Sequence, residues 1–386
     1  MRRKKKLFCL WIVLVLILLT GCTAEANAEG TSTGEKQESV ALSENGTPSA
    51  EIEDKVKTPA DNGAEVTVNA INAGADAADR KTVVGISFPS DDESGDRWSK
   101  DGVTLSGNLE EAGYGTSVYY GKDVSKQKEQ IRLLIKEGVE ILIVAPVDHD
   151  GLEDEMNLAA EEKITVISYD DVVMNTDVVD YYVMFHHYMT GSMQGAFVQE
   201  HFPWNEEEAE NVSLGLYVGD PEDLAGIAMY QGVEDEVILS VDREKIFVME
   251  QSNDFPKTDI LIIQQCRENL EEVSGENSEF ESENEKQELI WNDECFVTGI
   301  CRSHGQRPTL SGEKMIVYQD TRREVEVAGL LVKALLAGET ISKELTETLP
   351  YKCYYDRNSY DNGTGIIPGF LIEPEEITGA DHQKNN

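Results

Sequence analysis

The adjacent histidines His186 and His187, six cysteines and a dense run of glutamates are the residues of this 386-residue chain that first invite chemistry. An imidazole pair holds zinc only where three or four ligands converge at suitable spacing. No HxxxH or CxxC accompanies this pair, so no metal is expected and His187 reads instead as a polar, pH-responsive pocket residue. Glu268–Glu288 carries nine Glu against Arg267 and Lys286. It lacks the Asp/Asn alternation and fixed glycine of a calcium loop, so 268–288 is expected to be a solvated, mobile acidic insertion. No GxSxG, Walker loop or dinucleotide fingerprint occurs. A carboxylate pair chosen from 74 acids carries no signal of its own. Neither an enzymatic reaction nor a cofactor is expected.

Cys22 belongs to a different chemistry. Arg2, Arg3, Lys4, Lys5 and Lys6 form a basic segment, and Leu7–Leu19 is an almost unbroken apolar run of 13 residues. That run is short for a membrane span and of the right length for a secretory signal. It ends in Leu19-Thr20-Gly21-Cys22, which resembles a bacterial lipobox, where a small residue before the cysteine allows cleavage and the sulfur takes the lipid. Residues 1–22 therefore read as a lipoprotein signal peptide and lipobox, with lipidation at Cys22, a palmitate-type acyl anchor and an extracytoplasmic location on the cell membrane. An uncleaved N-terminal membrane anchor is the alternative. Cys266, Cys295, Cys301 and Cys353 remain after export. An oxidising compartment permits disulfides, but the pairing of Cys295 with Cys301 or any other cysteine stays open against reduced buried thiols.

The charge is strongly acidic, with 33 Lys+Arg against 74 Asp+Glu and a net charge of −41. Loss of the five basic residues of the signal takes it from −41 to −46. Phosphate recognition needs clustered Lys/Arg, so nucleic acid is excluded as a partner. Thr23 to Arg80 contains no Phe, Tyr or Trp and is rich in Ala, Gly, Ser, Thr, Asn and Glu. Such a stretch buries too little apolar surface to offset its ordering, so 23–80 is expected to be a disordered acidic tether. As a flexible coil it spans roughly 40 Å, which lifts a soluble body clear of lipid headgroups.

From Lys81 the pattern changes. Thr82–Phe88 is a β-branched run suited to a strand buried on both faces, and Arg97–Ala112 reads as a helix ended by Gly113. Strands over 117–120, 139–145, 164–169 and 181–185 alternate with helices over 125–137 and 152–162. A second series follows a helix at 188–202, with strands over 212–218, 246–249 and 259–263 and a helix over 222–239. Such alternation predicts parallel, doubly wound sheets, and two series predict two lobes. Ligands then belong at the carboxyl ends of the strands, in the cleft between the lobes.

Several stretches of this body resemble the type I periplasmic sugar-binding proteins, especially the D-xylose-binding branch of ABC transporter receptors. They are Arg97-Trp98-Ser-Lys-Asp101, Ile141–Val147, Val166–Asp170, Gly191-Ser-Met-Gln-Gly195, Val317-Tyr-Gln-Asp-Thr-Arg322, Tyr360–Gly363 and Ile366–Pro374. Together they cover most of 81–379 in the family's order. The resemblance implies an α/β fold of two doubly wound parallel-sheet lobes joined by a three-strand hinge. It implies an N-terminal lobe of 81–186 plus 320–362 and a C-terminal lobe of 187–318 plus 363–379. Gln319 stands at the hinge position where the family carries a polar sugar ligand. The chain also departs from the family. Tyr169-Asp170-Asp171 replaces Tyr-Asp-Arg, Phe185-His186-His187 replaces Phe-Asp-Asn, and Pro221-Glu222-Asp223-Leu224 replaces Pro-x-Asp-Asn. Gln264-Gln265-Cys266 replaces Pro-Asn-Asp, and Gly299-Ile300-Cys301-Arg302 replaces Gly-Gln-Asp-Ala. A long helix before Asp259 is missing.

A sugar site sets an aromatic platform beneath the ring and surrounds it with satisfied polar groups. Trp98, Phe88 and Tyr169 are candidates for the platform. Arg97, Asp92, Asp170, His187, Asp223 and Gln319 are candidates for the polar groups, with an interlobe ion pair as the alternative role for Arg97 and core packing for Trp98. The expectation is a monomeric, lipid-anchored receptor that captures a sugar or similar small polar ligand for an ABC permease. The replaced pocket positions and acidic insertion keep two alternatives open, a ligand-sensing partner of a membrane histidine kinase and a degenerate receptor with altered ligand.

Overall fold

The structure, a computed structural model, describes residues 82–90, 97–202, 212–217, 224–242, 246–249, 259–266 and 295–379. Cys22, Asp92, Asp223, the expected signal, the tether and the 268–288 insertion lie outside the described residues, as do residues 250–258, just before Asp259, where the family's long helix was expected to be absent.

The first half of the chain alternates β1 (Thr82–Pro89), α1 (Arg97–Glu111), β2 (Gly115–Gly121), α2 (Val124–Glu137), β3 (Ile141–Val144), α3 (Glu153–Glu161), β4 (Thr165–Tyr169) and β5 (Val179–Phe185). Next come α4 (His187–His201), β6 (Val212–Tyr217), α5 (Leu224–Asp242), β7 (Ile246–Met249), β8 (Ile260–Cys266), β9 (Phe296–Ser303), β10 (Met315–Asp320) and α6 (Thr321–Leu336). Three short strands close the chain, β11 (Cys353–Asp356), β12 (Gly369–Ile372) and β13 (Glu375–Thr378).

These strands form two sheets, in the orders β11-β12-β5-β4-β3-β1-β2 and β13-β10-β9-β8-β6-β7. Every described pairing is parallel except β11 with β12 and β10 with β13. This is the two-lobed, doubly wound α/β architecture expected from the alternating pattern. The chain passes between sheets three times, from β5 into α4, from β10 into α6, and from β12 to β13. One expected boundary shifts. Residues 363–379 were assigned to the second lobe, yet β12 pairs with β5 through Gly369↔Tyr182 to Ile372↔Phe185 and so belongs to the first sheet. Only β13 joins the second, antiparallel to β10. A short apolar strand carries no mark of which sheet it joins.

Both faces of the first sheet are covered. Val84, Ile86 and Phe88 of β1 pack with Leu105 and Leu109 of α1 and Val325, Ala328, Leu331 and Val332 of α6. On the opposite face, Leu142 and Val144 pack with Ile131 and Leu134 of α2 and Met156 of α3. Each of the larger side chains among them, at or near zero exposure, contributes about 1.5–3 kcal/mol relative to leaving it in water. Helix ends are fixed locally. Asp123 caps α2 by accepting from the Lys126 N–H, and Gly138 ends that helix in the left-handed region at φ 76°.

In the second lobe, Val198 of α4 and Val233 and Val237 of α5 cover Leu214, Leu216, Ile260 and Ile262. The two helices cross through glycine. A Cβ on Gly191 would lie 1.8 Å from the Met229 carbonyl oxygen, and one on Gly232 would lie 2.1 Å from that of Tyr188. The close crossing sets the direction in which α4 carries its first turn, with His187 and Thr190, up to the interlobe region.

Candidate functional site

Parallel strands bring their carboxyl ends to one edge of a sheet, and the helices that follow begin there. In the first lobe this edge presents Phe88, Tyr169, Asp170 and the first turn of α1. In the second it presents Arg302 at the end of β9 and Gln319 at the end of β10, with α4 and α6 starting from the crossovers. Residues more than 200 positions apart thereby meet in one buried polar cluster.

Arg97 is its centre. The guanidinium takes the Asp170 carboxylate two-pronged, Nη1 to Oδ2 at 3.0 Å and Nη2 to Oδ1 at 3.0 Å. Nη2 also reaches Glu324 Oε2 at 3.1 Å, and Nε lies 3.4 Å from Asp101 Oδ2 on the same helix. The Arg97 guanidinium carbon sits 4.2 Å from the Trp98 ring centroid, a cation–π contact. Burial works against the Arg97 charge, but Asp170, Glu324 and Asp101 raise its pKa well above the usual arginine value. The ion-pair alternative for Arg97 is therefore what the chain itself provides.

From the second lobe, Arg302 donates through Nη1 to both Asp170 oxygens at 2.9 and 3.1 Å and through Nε to Gln319 Oε1 at 2.6 Å. Gln319 passes the link on, its Nε2 donating to Thr190 Oγ1 at 3.0 Å. Asp170 is thus clamped between two guanidiniums and holds a left-handed φ of 67°, which Asp tolerates better than most residues. Burial alone raises the Asp170 carboxyl, but Arg302 and Arg97 outweigh it and hold the group below the ordinary carboxylate range.

Beneath this pair, Asp101 is wholly buried. It accepts from Thr321 Oγ1 at 2.6 Å and from Tyr169 Oη at 3.2 Å, and pairs with His304 Nδ1 at 2.7 Å. Tyr169 stacks on Phe88 with centroids 4.8 Å apart, and Phe88 meets Trp98 at 5.6 Å. Phe88 and Tyr169 have no exposed surface. They form the floor behind Trp98 rather than a platform, leaving half-buried Trp98 as the one member of that expected set with surface to offer.

Three further groups are buried with unpartnered atoms. His187 is 2% exposed. Its ring bonds the Asp170 backbone while Nδ1 has no hydrogen-bond partner. Burial and Arg302 push its pKa down to about 3, so the ring is neutral. Glu324, in the first turn of α6, gives Oε2 to Arg97 and leaves Oε1 unpartnered. Burial, then Asp170, lifts its carboxyl well above the usual range. Gln264, near the carboxyl end of β8, is 4% exposed with neither amide atom satisfied. Leaving such a group unpaired costs about 1–3 kcal/mol. Sites of this kind are completed by a bound molecule or by ordered water.

The cluster gathers Arg97, Trp98, Asp170, His187 and Gln319 from the sequence expectations. It adds Asp101, Thr190, Arg302, His304, Thr321 and Glu324. Of these, Arg302 was visible only as a departure from a family pattern, and Glu324 only as an acid in a helix first turn. His186 and His187 diverge: His186 Nδ1 caps α4 by accepting from Met189 N–H at 3.4 Å. Among the described residues, no group of three or more His, Cys, Asp or Glu is placed to hold a metal. Cys295 and Cys301 are buried and Cys353 half-buried, each a thiol rather than half of a disulfide. No helix among the described residues is long and apolar enough to cross a membrane. A cavity of about 530 Å³ opens elsewhere, between Glu140, Lys163, Thr165 and Leu336 at the amino ends of β3 and β4. It is at the wrong edge of the sheet to share the cluster's groups.

Comparison with known proteins agrees with this geometry. The chain is 25% identical over 342 residues to the multiple sugar-binding periplasmic receptor ChvE of Rhizobium radiobacter, covering 81% of this chain and 91% of the relative. A D-xylose-binding periplasmic protein of Haemophilus influenzae is 30% identical over 129 residues, 33% of this chain and 38% of that one. An ABC transporter solute binding protein from Clostridium phytofermentans, solved with bound β-D-glucose, superposes with a TM-score of 0.60 at 24% identity, covering 79% of this chain and 96% of the other. Residues 98–340 match the periplasmic binding protein domain family, and the chain belongs to that family, one of binding receptors rather than enzymes.

Proposed function

We propose that the chain is a lipid-anchored extracytoplasmic receptor whose interlobe cleft captures a sugar and delivers it to an ABC permease. The observation that carries the reading is the polar cluster at the facing strand ends. It gathers guanidinium donors on Arg97 and Arg302 and unpartnered atoms of His187 and Glu324 in one buried network, with half-buried Trp98 against Arg97. Sugar hydroxyls both donate and accept, and the C–H face of a pyranose suits an indole. In this reading Arg97, Trp98, Asp170, His187 and Gln319 line the site, and Asp92 and Asp223 complete it. The sugar-binding relative that spans most of the chain supports the same ligand class.

Thermal unfolding with a panel of aldopentoses and aldohexoses tests the reading. A ligand of the native state raises stability by RT ln(1 + [L]/Kd), so at least one sugar at millimolar concentration shifts the melting temperature upward. A flat response across the panel removes the sugar reading. Anchoring is tested separately. The Cys22→Ala chain loses acylation and its membrane fraction if the lipobox sequence Leu19–Cys22 is used.

A further inference from the structure

Tyr360–Gly363 is one of the stretches by which the sequence resembles its family, yet it lies outside the polar cluster. The fold builds it against the turn that follows β4 and carries Asp170. Asn362 is 1% exposed. Its Nδ2 donates to the Val173 carbonyl at 3.2 Å and to that of Thr176 at 2.5 Å. Its own carbonyl accepts from the Asn175 N–H at 2.7 Å. Oδ1 accepts from the Thr364 N–H at 3.3 Å, and Thr364 Oγ1 donates to the Thr176 carbonyl again, at 2.8 Å. Gly363 passes so close, at φ 90°, that a Cβ on it would lie 2.8 Å from Asn175 Oδ1. Residues 362–364 thus hold 173–176 by main chain and side chain together.

The turn is also fixed at its start. Asp170 donates its N–H to the Val183 carbonyl of β5, and Val173 donates its N–H to Ser168 Oγ at 3.1 Å. Two non-glycine residues take left-handed backbone at its ends, Asp170 at φ 67° and Asn175 at φ 57°. Such conformations persist only where the surroundings over-determine them. Asp170 stands three positions before the first carbonyl that Asn362 holds, and its carboxylate is the one that both Arg97 and Arg302 grip. We infer that Asn362 is a positioning residue of the ligand site: by stapling the turn after β4 it fixes the backbone of Asp170, and through that carboxylate the placement of Arg97 and Arg302. It acts through Asp170 rather than on the ligand. A primary amide suits the role because it donates two hydrogen bonds and accepts others at once. A smaller residue leaves the carbonyls of the turn short of a donor.

The affinity arm of the test rests on the sugar reading; the exchange arm does not. Hydrogen–deuterium exchange of the full chain in detergent is compared for the wild type, Asn362→Ala and the milder Thr364→Val, with the β3 segment 141–144 as an internal reference. Exchange at 170–176 is expected to quicken in Asn362→Ala, and less so in Thr364→Val, while β3 keeps its protection. Binding of D-glucose and D-xylose is then measured by calorimetry. For a sugar that binds the wild type, Asn362→Ala weakens affinity by roughly tenfold, the effect of one misplaced charge-assisted hydrogen bond. Val237→Ala, a buried change in the far half of α5, is the control: it lowers the urea midpoint and leaves that affinity unchanged. A merely structural role for Asn362 would give the two variants the same behaviour. Four results overturn the inference: equal exchange at 170–176 in wild type and both variants, a loss of protection that extends equally to β3, unchanged affinity in Asn362→Ala, or an equal loss of affinity in Val237→Ala. If neither sugar binds the wild type, the sugar reading falls, and the exchange comparison still decides whether Asn362 holds the turn of Asp170.

Discussion

Arg97 and Asp170 meet in a two-pronged fork, Nη1 to Oδ2 and Nη2 to Oδ1, both at 3.0 Å, with Arg302 closing on the same carboxylate from the opposite lobe. Planar, bidentate pairing is what a guanidinium can do and an ammonium cannot. Arg97→Lys keeps the charge and loses the fork together with the Trp98 contact. The expected outcome is a sugar affinity reduced about 10–100-fold, from the 1.5–3 kcal/mol of a hydrogen bond to a charged group, with the fold retained by circular dichroism. Calorimetric titration checks it, and an affinity within twofold of wild type would show that Arg97 serves the fold alone.

Glu324 sets a different test, because its environment distinguishes a charged from a neutral carboxyl. It is wholly buried beside Asp170 and Asp101, with one oxygen on Arg97. Burial, reinforced by Asp170, raises its pKa and so favours the neutral form, while Arg97 and Arg302 oppose that. A group with a raised folded pKa adds stability that is full below its unfolded pKa and is lost as pH rises through the folded value. Glu324→Gln imitates the protonated form. It is expected to match wild-type stability at low pH and equal or exceed it at pH 8, whereas Glu324→Ala loses about 1–3 kcal/mol by stranding Arg97. Urea denaturation at both pH values checks this. A Gln variant as unstable as the Ala variant means that Glu324 is charged.

The alternation of buried runs with amphipathic helices made both sheets legible in advance, because a strand covered on two faces must be continuously apolar, as Ile141–Val144 is. Topology alone directs attention to the carboxyl ends of the strands, and the cluster of Arg97, Asp170, Arg302 and Gln319 lies there. What sequence did not carry was the pairing within the site. Arg302 and Asp170 are 132 positions apart, and nothing near either names the other. Asp170 stands out in the sequence only by its place in a family motif, which says nothing of the two guanidiniums that both of its oxygens accept from. Phe88 and Tyr169 read as a platform because aromatics at strand ends often face a ligand, but mutual stacking buries them instead. That β12 falls in the first sheet and not the second goes unmarked in the sequence for a similar reason, since four apolar residues suit the interior of either sheet.

The glycine crossing of α4 and α5 predicts a large effect from a small change. A methyl on Gly191 would fall 1.8 Å from the Met229 carbonyl oxygen, and the obstacle is backbone, so no rotamer change relieves it. Gly191→Ala forces the helices apart and disturbs the turn that holds Thr190 and His187 in the cleft. A loss of about 1–3 kcal/mol or more is expected from such overpacking, read as a lower urea midpoint. Gly107→Ala is the control, since nothing lies within 4 Å of a Cβ there. Equal midpoints for the two variants would contradict the crossing.

His187 gives the cluster an acid limit whose sign can be worked out. Its folded pKa lies near 3 against an ordinary 6.5, because burial and then Arg302 disfavour the imidazolium. Below pH 6.5 the unfolded chain takes up a proton that the folded chain refuses, so stability is full above pH 6.5 and falls as pH drops toward 3. The slope approaches ~1.4 kcal/mol per pH unit for one proton. His186 shares the direction, burial lowering its pKa, while Asp170 adds its own loss only once the pH falls below the ordinary carboxylate value near 3.8. The comparison of wild type with His187→Gln between pH 4 and 6.5 isolates the one group: the variant keeps the neutral polar contact and removes the proton. Urea denaturation across that interval is expected to show a shallower acid slope for the variant by about one proton. Superimposable slopes would place His187 in contact with water in the folded state, and with it would fall the argument that its Nδ1 waits, buried and unpaired, for a partner in the cleft.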